Sequence, residues 1–171
     1  MQIQLSTCTL RPWRAGDEGS LVRHGDNRNV WRNLKDRFPH PYTAADARAW
    51  VEHSRAQKPF TSLAIEVDGA AVGGVGIELG TDVFRRSAEI GYWLGEPFWG
   101  RGIATEALRG MTAYAFESFD ICRLEAGVFD WNPASMRVLE KNGYVLEGRA
   151  RRSVVKDGRI GDRLLYALVR P

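Results

Sequence analysis

The sequence predicts a mixed α/β domain, built on one sheet that contains both parallel and antiparallel strands. Its apolar patterns follow the order strand, helices, three strands, helix, strand, helix and two strands. Asp-Gly pairs at 68–69 and 157–158 predict hairpin turns between neighbouring strands. Because no linker, repeat or low-complexity segment divides the 171 residues, we expect a single domain over residues 1–171.

The chain begins with one predicted strand and two predicted short helices. Residues Cys8–Arg11 have the composition of a strand, and Pro12 ends it because proline lacks the amide proton of a sheet ladder. The segments Asp17–His24 and Asn27–Leu34 carry apolar residues three or four positions apart, so both are predicted to be helical.

A third helix is predicted after a segment that contains two prolines. That segment, Arg37–Tyr42, favours extended backbone because each proline restricts the residue before it. The helix begins after Thr43 and runs to about Gln57, since Asp46 at the third helical position completes a variant of the capping box. Its expected inward-facing residues are Ala47, Trp50 and Val51.

An antiparallel hairpin is predicted next. Strands Phe60–Val67 and Ala71–Leu79 flank the first Asp-Gly turn. The second strand contains Gly73, Gly74 and Gly76, which indicate a bulge or the close approach of another part of the chain.

The stretch Ser87–Glu117 combines a strand, a glycine-rich turn and a long helix. The strand breaks at residues 95–97, and the turn at Trp99–Ala104 leads directly into the helix. Such a turn directs several backbone N–H groups toward one point, which suits an anion and above all a pyrophosphate. Gly100 and Gly102 fit this role because side chains there would keep a diphosphate away from the amides.

The last part of the chain predicts a strand, a short helix and a closing pair of strands. The strand is Cys122–Phe129, and residues 132–135 begin a helix that residues 142–143 end. Tyr144–Arg152 and Arg163–Val169 are the closing strands.

Composition favours a cytoplasmic protein without a metal. Cys8 and Cys122 are too few for a disulfide framework or a thiolate cluster, and the three histidines lack metal-ligand spacing. No apolar stretch has the length of a membrane span. Arginines far outnumber lysines and the net charge is +3, but the basic residues form no stripe with interleaved aromatics, so nucleic-acid binding is disfavoured.

The sequence of the glycine turn does not match two common phosphate-binding motifs. Thr105 stands where a Rossmann fingerprint requires its third glycine, and the turn has no lysine for a Walker loop. The string WGRGIATEA from Trp99 instead resembles the acyl-coenzyme A loop of the GNAT N-acetyltransferase superfamily, with Trp99 in place of the usual first Gln or Arg. A turn whose glycines only permit tight packing is the alternative.

The resemblance covers nearly the whole chain and points to the ribosomal-protein-alanine (RimJ/RimL-like) acetyltransferase branch. It rests on RFPHPYT from residue 37, EIGYWL and WGRGIATEAL from residue 89, NPAS and EKNGY from residue 132, and DG, D and YALVR near the end. It implies the GNAT fold, a twisted mixed central sheet with helices on both faces and a splayed strand pair. It also implies acetyl-coenzyme A as co-substrate and no metal.

The same resemblance implies which positions bind the cofactor. They are strand residues Gly91, Tyr92, Trp93 and Leu94, turn residues Trp99, Gly100, Arg101, Gly102, Ile103, Ala104 and Thr105, and helix-start residues Asn132 and Ser135. Arg101 could equally project into solvent. Asn132 also fits a plain helix cap, with Ser135 in the first turn.

Two side chains are candidates for catalysis. An acceptor amine must lose a proton, and Glu89 lies where histone-type relatives carry their acidic base. A solvated surface glutamate is the alternative. Ser135 is the candidate acid, because Leu139 occupies the position of the usual tyrosine in this family.

The resemblance implies acetyl transfer to a primary amine by direct attack in a ternary complex. The acceptor expected from the branch is a protein N-terminal α-amine, as on a ribosomal protein. A small amine such as a polyamine, an amino acid or an antibiotic, and a non-catalytic acyl-coenzyme A sensor, are the alternatives. Trp31, Phe38, His40 and Tyr42 either wall the acceptor groove or form a small core. Some relatives pair, so a homodimer is a further expectation.

Overall fold

A computed structural model describes residues 1–170. The strands are β1 (Ile3–Gln4), β2 (Thr9–Arg11), β3 (Ser62–Val67), β4 (Ala70–Leu79), β5 (Ser87–Leu94), β6 (Arg123–Phe129), β7 (Val145–Lys156) and β8 (Arg159–Val169). The α-helices are α1 (Glu18–Gly25), α2 (Arg28–Trp31), α3 (Ala44–Ala56), α4 (Ile103–Ser118) and α5 (Pro133–Lys141). Short 3₁₀ turns at Asp82–Phe84 and Glu96–Phe98 precede and follow β5.

All the strands form one eight-stranded sheet in the order β1-β2-β3-β4-β5-β6-β8-β7. Every neighbouring pair is antiparallel except β5 and β6, which run parallel. The predicted mixed α/β class is therefore confirmed.

β5 and β6 separate after a short paired segment. Only Ser87, Ala88 and Glu89 of β5 pair with β6, whereas β5 stays paired with β4 as far as Leu94. β6 in turn remains paired with β8 as far as Phe129. The facing edges beyond Glu89 consequently diverge and leave a wedge between two strands of one sheet. This is the splayed pair that the family resemblance implied.

Two clusters of buried side chains cover the two faces of the sheet. The larger cluster packs α4 against the face that carries Ile90 and Leu94, with Leu108 and Met111 fully buried. The smaller cluster packs α1 and α3 on the other face, around Trp13. Full burial of each such side chain contributes roughly 1.5–3 kcal/mol, so the two layers fix the sheet from both sides.

The local signals at helix starts are confirmed. Thr43 Oγ1 accepts from the amide of Asp46 at 3.2 Å, and Asp46 Oδ2 accepts from the amide of Thr43 at 2.8 Å, which completes a capping box. Asn132 Oδ1 accepts from the amide of Ser135 at 3.3 Å and caps α5. Among the inward residues expected on α3, Ala47 and Val51 are buried, but Trp50 is 38% exposed. The expectation for Trp50 was wrong.

Three elements differ from the sequence prediction. β1 was not predicted, because two residues are too few to show alternation. α2 is shorter than the predicted Asn27–Leu34. The closing hairpin is longer than predicted, since its ladder continues through two irregularities to pair Lys156 with Arg159. Arginines and glycines obscured the alternation there.

Arg11, at the end of β2, is buried with 2% of its surface exposed. Its guanidinium donates two parallel bonds to the carboxylate of buried Asp17, at 2.8 and 2.9 Å, and also pairs with Glu66. These partners raise the pKa of Arg11 although burial itself lowers it. A charged side chain therefore joins β2, β3 and the segment before α1 in the interior.

Within residues 1–170, none of the helices combines the length and apolarity that crossing a bilayer demands. The same residues bring together no group of three or more His, Cys, Asp or Glu side chains placed to hold a metal ion.

Candidate active site

The wedge between β5 and β6 opens into a cleft of about 1170 Å³. Its walls come from β4, β5, β6, α3, the start of α4 and the first turns of α5. The predicted cofactor positions of the central strand, the glycine turn and the α5 start all line this single space.

The backbone of the glycine turn borders the cleft, and no side chain covers it at Gly100 and Gly102. Gly100 and Gly102 have φ values of +72° and +76°, in the left-handed region that favours glycine. A Cβ atom built on either residue meets no other heavy atom within 4 Å. The space beside both residues is therefore open to a ligand that approaches the backbone.

Helix α4 begins at this turn without a side-chain cap. The first intrahelical bond at this end is from the amide of Glu106 to the carbonyl of Gly102, at 3.1 Å. The preceding amides of the first turn therefore lack partners within the helix. These free N–H groups and the aligned peptide dipoles give the N-terminus of α4 roughly half a positive charge. The exposed side chains of Arg101, Arg137 and Lys141 add positive charge around the same opening.

Hydrogen bonds fix the turn relative to β5 and α2. Trp99 Nε1 donates to the carbonyl of Leu94 at 2.7 Å, so the indole binds the turn to the end of the strand. The Glu96 carboxylate accepts from the side-chain amides of Asn27 and Asn29, at 2.7 and 3.1 Å. These bonds lower the pKa of Glu96. The backbone N–H groups of the glycine turn are thus held in place before any ligand binds.

Successive residues of β5 point to opposite sides of the sheet. Glu89, Gly91 and Trp93 lie on the face of α1 and α3, whereas Tyr92 and Leu94 lie on the face of α4 and α5. A Cβ atom on Gly91 would meet nothing within 4 Å, so the cleft is open directly above the strand.

The candidate base Glu89 lies at the point where β5 and β6 begin to separate. Its Oε1 is 2.6 Å from Lys35 Nζ, and its Oε2 is 3.9 Å from an Arg163 nitrogen. The carboxylate is 32% exposed and lines the cleft. It is therefore accessible to an amine, but it already has two cationic neighbours.

Tyr92 and Ser135 form a hydroxyl pair on the opposite side of the wedge. Their oxygens are 2.7 Å apart, and the Tyr92 hydroxyl is also 3.3 Å from the Ser135 carbonyl. Burial raises the pKa of the Tyr92 phenol above its usual 10.0, so the phenol keeps its proton. Leu139, at the position of the usual tyrosine, is fully buried.

The sequence did not indicate that the Tyr92 hydroxyl is a partner of Ser135. In the apolar alternation of β5, Tyr92 looks like an ordinary core residue. Its only sequence signal is the hydroxyl group itself, which needs a partner when it is buried.

Two of the four predicted acceptor residues line the cleft. Phe38 packs edge-on against Trp93 at 5.3 Å between ring centres, and its ring is tilted against that of Tyr42 at 4.9 Å. Trp31 and His40 instead stack on each other at 5.2 Å, outside the residues that line the cleft. The Nζ atom of Lys156 lies 3.8 Å above the Trp31 ring.

α3 supplies a further wall of the cleft that the sequence did not predict. Trp50 and His53 line the cleft from one side of the helix, and Gln57 lines it from the position just after the helix. The His53 and Gln57 side chains are hydrogen-bonded at 2.9 Å, and the rings of Trp50 and His53 lie 6.1 Å apart. A second helical stripe at three-to-four spacing was the available signal.

The cleft wall above β4 and β5 contains paired charges. Next to the pair of Lys35 and Glu89, Arg37 donates to Glu78 at 2.9 Å. This bond lowers the pKa of the Glu78 carboxyl. The wall above β4 and β5 is thus charged but close to balanced.

Comparison with known proteins agrees with this geometry. A family model described as an acetyltransferase (GNAT) domain matches residues 8–145. Among solved structures, Mycobacterium smegmatis RimJ in complex with CoA-disulfide superimposes with a TM-score of 0.78. It is 30% identical, and the match covers 95% of this chain and 81% of RimJ.

Two curated relatives match over shorter regions. The "Probable N-acetyltransferase YjcK" of Bacillus subtilis (strain 168) is 44% identical over 86 residues, which cover 50% of this chain and 48% of YjcK. The ribosomal-protein-serine acetyltransferase of Escherichia coli (strain K12) is 33% identical over 85 residues, 50% of this chain and 48% of that protein. The chain thus spans about half the length of these two relatives.

Proposed function

The chain belongs to the GNAT acetyltransferase family, in its RimJ/RimL-like branch, and we propose that it transfers an acetyl group from acetyl-coenzyme A to a primary amine. One observation carries this proposal. The unpaired edges of β5 and β6 form a cleft that continues to the amides of the Gly100–Gly102 turn. An extended ligand with a diphosphate at one end fits such a combination of backbone edge and helix N-terminus.

The fit to coenzyme A follows from the open backbone. The turn residues Trp99–Thr105 would hold the pyrophosphate, and the β5 edge at Gly91–Leu94 would bind the extended arm. Asn132 and Ser135 would border the arm from the start of α5. Acetyl-coenzyme A supplies an acetyl group on a thioester, and all other chemistry falls to side chains of this protein.

Glu89 is the residue that we assign to proton removal from the acceptor amine. Lysine and α-amines have pKa values of about 10.4 and 8, so both are largely protonated at neutral pH. The exposed carboxylate of Glu89 can take this proton directly or through water. General-base assistance of this kind contributes roughly 10²–10⁴-fold.

Ser135 is the residue that we assign to protonation of the departing sulfur. Its hydroxyl faces the cleft and lies 2.7 Å from the Tyr92 hydroxyl. Because the Tyr92 phenol keeps its proton, it can orient the serine hydroxyl or replace the proton that Ser135 gives away. Tyr92 thus acts as a positioning residue for Ser135.

The acceptor that we favour is a protein N-terminal α-amine. One relative is named a ribosomal-protein-serine acetyltransferase. Lys35 and Arg37 neutralise Glu89 and Glu78, so this wall has no net negative charge to attract a polycation. An acceptor screen with N-terminal peptides, free amino acids and spermidine distinguishes these classes.

The test of the cofactor assignment is calorimetric titration with acetyl-coenzyme A. We expect micromolar binding to the wild type and its loss in Gly102→Trp, whose side chain would fill the ligand space. Gly102→Ala should weaken binding as well, because its Cβ enters the same open space.

Gly158→Ala is the matched control. Gly158 also has a left-handed φ, +73°, and open space around its Cβ position, but it lies in the β7–β8 turn. Both alanine variants should lose a similar stability of about 1–2 kcal/mol, while only Gly102→Ala loses affinity. Absence of binding to the folded wild type would refute the proposed function, and binding without any acetylated amine would support the non-catalytic sensor.

A further inference from the structure

One amine of the protein itself already lies against the carboxylate that we assign as the base. Lys35 Nζ is 2.6 Å from Glu89 Oε1, and the Lys35 side chain is 50% exposed toward the cleft. The Lys35 carbonyl accepts from the amide of Phe38 at 3.0 Å, so an ordered turn carries the side chain. The acceptor position therefore has a resident occupant.

The residue type at position 35 is informative. Only four of the 24 basic residues are lysines, at positions 35, 58, 141 and 156. Arginine is the better partner for a carboxylate and does not lose its proton in proteins. The neighbouring pair on the same face does use arginine, from Arg37 to Glu78 at 2.9 Å. At position 35 the chain has the side chain whose nitrogen can become a nucleophile.

The other lysines lie in different surroundings. Lys58 lies 3.7 Å above the Phe60 ring, and Lys156 is 3% exposed and bound to Asp36 at 2.8 Å. Lys141 lines the cleft from α5, on the side of the glycine turn, and is exposed. Of the four, Lys35 alone is paired with Glu89.

We propose that Lys35 is an internal acceptor and that the protein acetylates its own Lys35 Nζ. This inference rests on the proposed transferase function. The nitrogen electron pair forms a bond to the acetyl carbon, and the bond between that carbon and sulfur breaks. Of the two protons that the ammonium group loses, one ends on the sulfur of coenzyme A and the other reaches solvent through Glu89. The products are an amide at Lys35 and the free thiol.

Acetylation would change the charge balance around the base. The amide is neutral, so Glu89 would keep only the distant contact with Arg163 at 3.9 Å. The acceptor position beside the carboxylate would then become available to an external amine.

The test is acetylation of the purified full chain by acetyl-coenzyme A, followed by intact mass and peptide mapping. We expect one acetyl group per chain, on Lys35, formed at a first-order rate that does not depend on protein concentration. Glu89→Gln should slow this rate by roughly 10²-fold, as expected for loss of a general base. Lys35→Arg should keep the ion pair and abolish the modification.

Glu125→Gln is the matched control, since this carboxylate lies beside Glu89 on β6 but pairs with Arg123 at 3.0 Å and does not line the cleft. It should leave Lys35 acetylation unchanged. Equal acetylation of Lys35, Lys58 and Lys141, or a rate that rises with protein concentration, would overturn the proposal.

An unmodified Lys35 in a protein that acetylates an external amine would overturn self-acetylation and leave the transferase function in place. Failure to bind acetyl-coenzyme A in the titration would remove both.

Discussion

Removal of the Tyr92 hydroxyl tests the proposed proton source most directly. Tyr92→Phe keeps the ring and deletes only the oxygen that lies 2.7 Å from Ser135 Oγ. A net hydrogen bond contributes about 0.5–1.5 kcal/mol, and a polar group left without its partner costs about 1–3 kcal/mol. We therefore expect the free energy of unfolding to fall by about 1–2 kcal/mol.

The kinetic effect follows from the same bond. If the hydroxyl pair holds Ser135 during transfer, loss of about 1.4 kcal/mol lowers kcat about tenfold. Ser135→Ala should cost more, roughly 10²-fold, because it removes the proposed proton donor itself. The double variant should then be no slower than Ser135→Ala, since Tyr92 acts only through Ser135.

The assay combines urea unfolding with kcat and KM for acetyl-coenzyme A. Tyr144→Phe is a matched control, because its hydroxyl bonds Thr112 at 2.8 Å and neither residue lines the cleft. It should lose comparable stability and keep kcat. If Tyr92→Phe behaves like this control, the hydroxyl pair is structural. If the two single effects multiply in the double variant, Tyr92 and Ser135 act independently.

Two further predictions concern stability. Arg11→Met leaves the buried Asp17 carboxylate without its bidentate partner, so urea unfolding should show a loss of about 3–5 kcal/mol, and an unchanged midpoint would contradict this. Burial raises the pKa of Tyr42 above 10.0, so the folded phenol stays neutral where the unfolded one ionises. Its contribution is therefore complete below about pH 10 and falls above it by about 1.4 kcal/mol per pH unit. Tyr42→Phe should remove that part of the alkaline slope, as measured by urea unfolding across the pH range.

The features that the sequence predicted correctly depend on neighbouring residues. The capping box of Thr43 and Asp46 spans four residues, and the Asp-Gly turns and the Gly100–Gly102 turn are equally local. Such signals are fixed by backbone conformation and by bonds within one turn. The order of strands and helices followed from them.

The features that the sequence did not predict join distant positions. Tyr92 and Ser135 are 43 residues apart, and Lys35 and Glu89 are 54 residues apart. Trp50 matched the apolar stripe of α3, but it is 38% exposed and lines the cleft. Periodicity alone cannot distinguish a side chain that faces the core from one that faces a cleft beside it.

The sheet separates the two halves of the proposed proton transfer. Glu89 projects to the face of α1 and α3, while Ser135 and Tyr92 lie on the face of α4 and α5. The wedge between β5 and β6 is the opening through which the two sides can meet. An amine beside Glu89 and a thioester beside Ser135 would therefore approach each other through the sheet, and both must be present together. Neither cysteine lines the cleft. Cys8 is buried in the core, and Cys122 lies just before β6. Direct attack in a ternary complex, which the family resemblance implies, would thus use the opening that the divergence of the two strands provides.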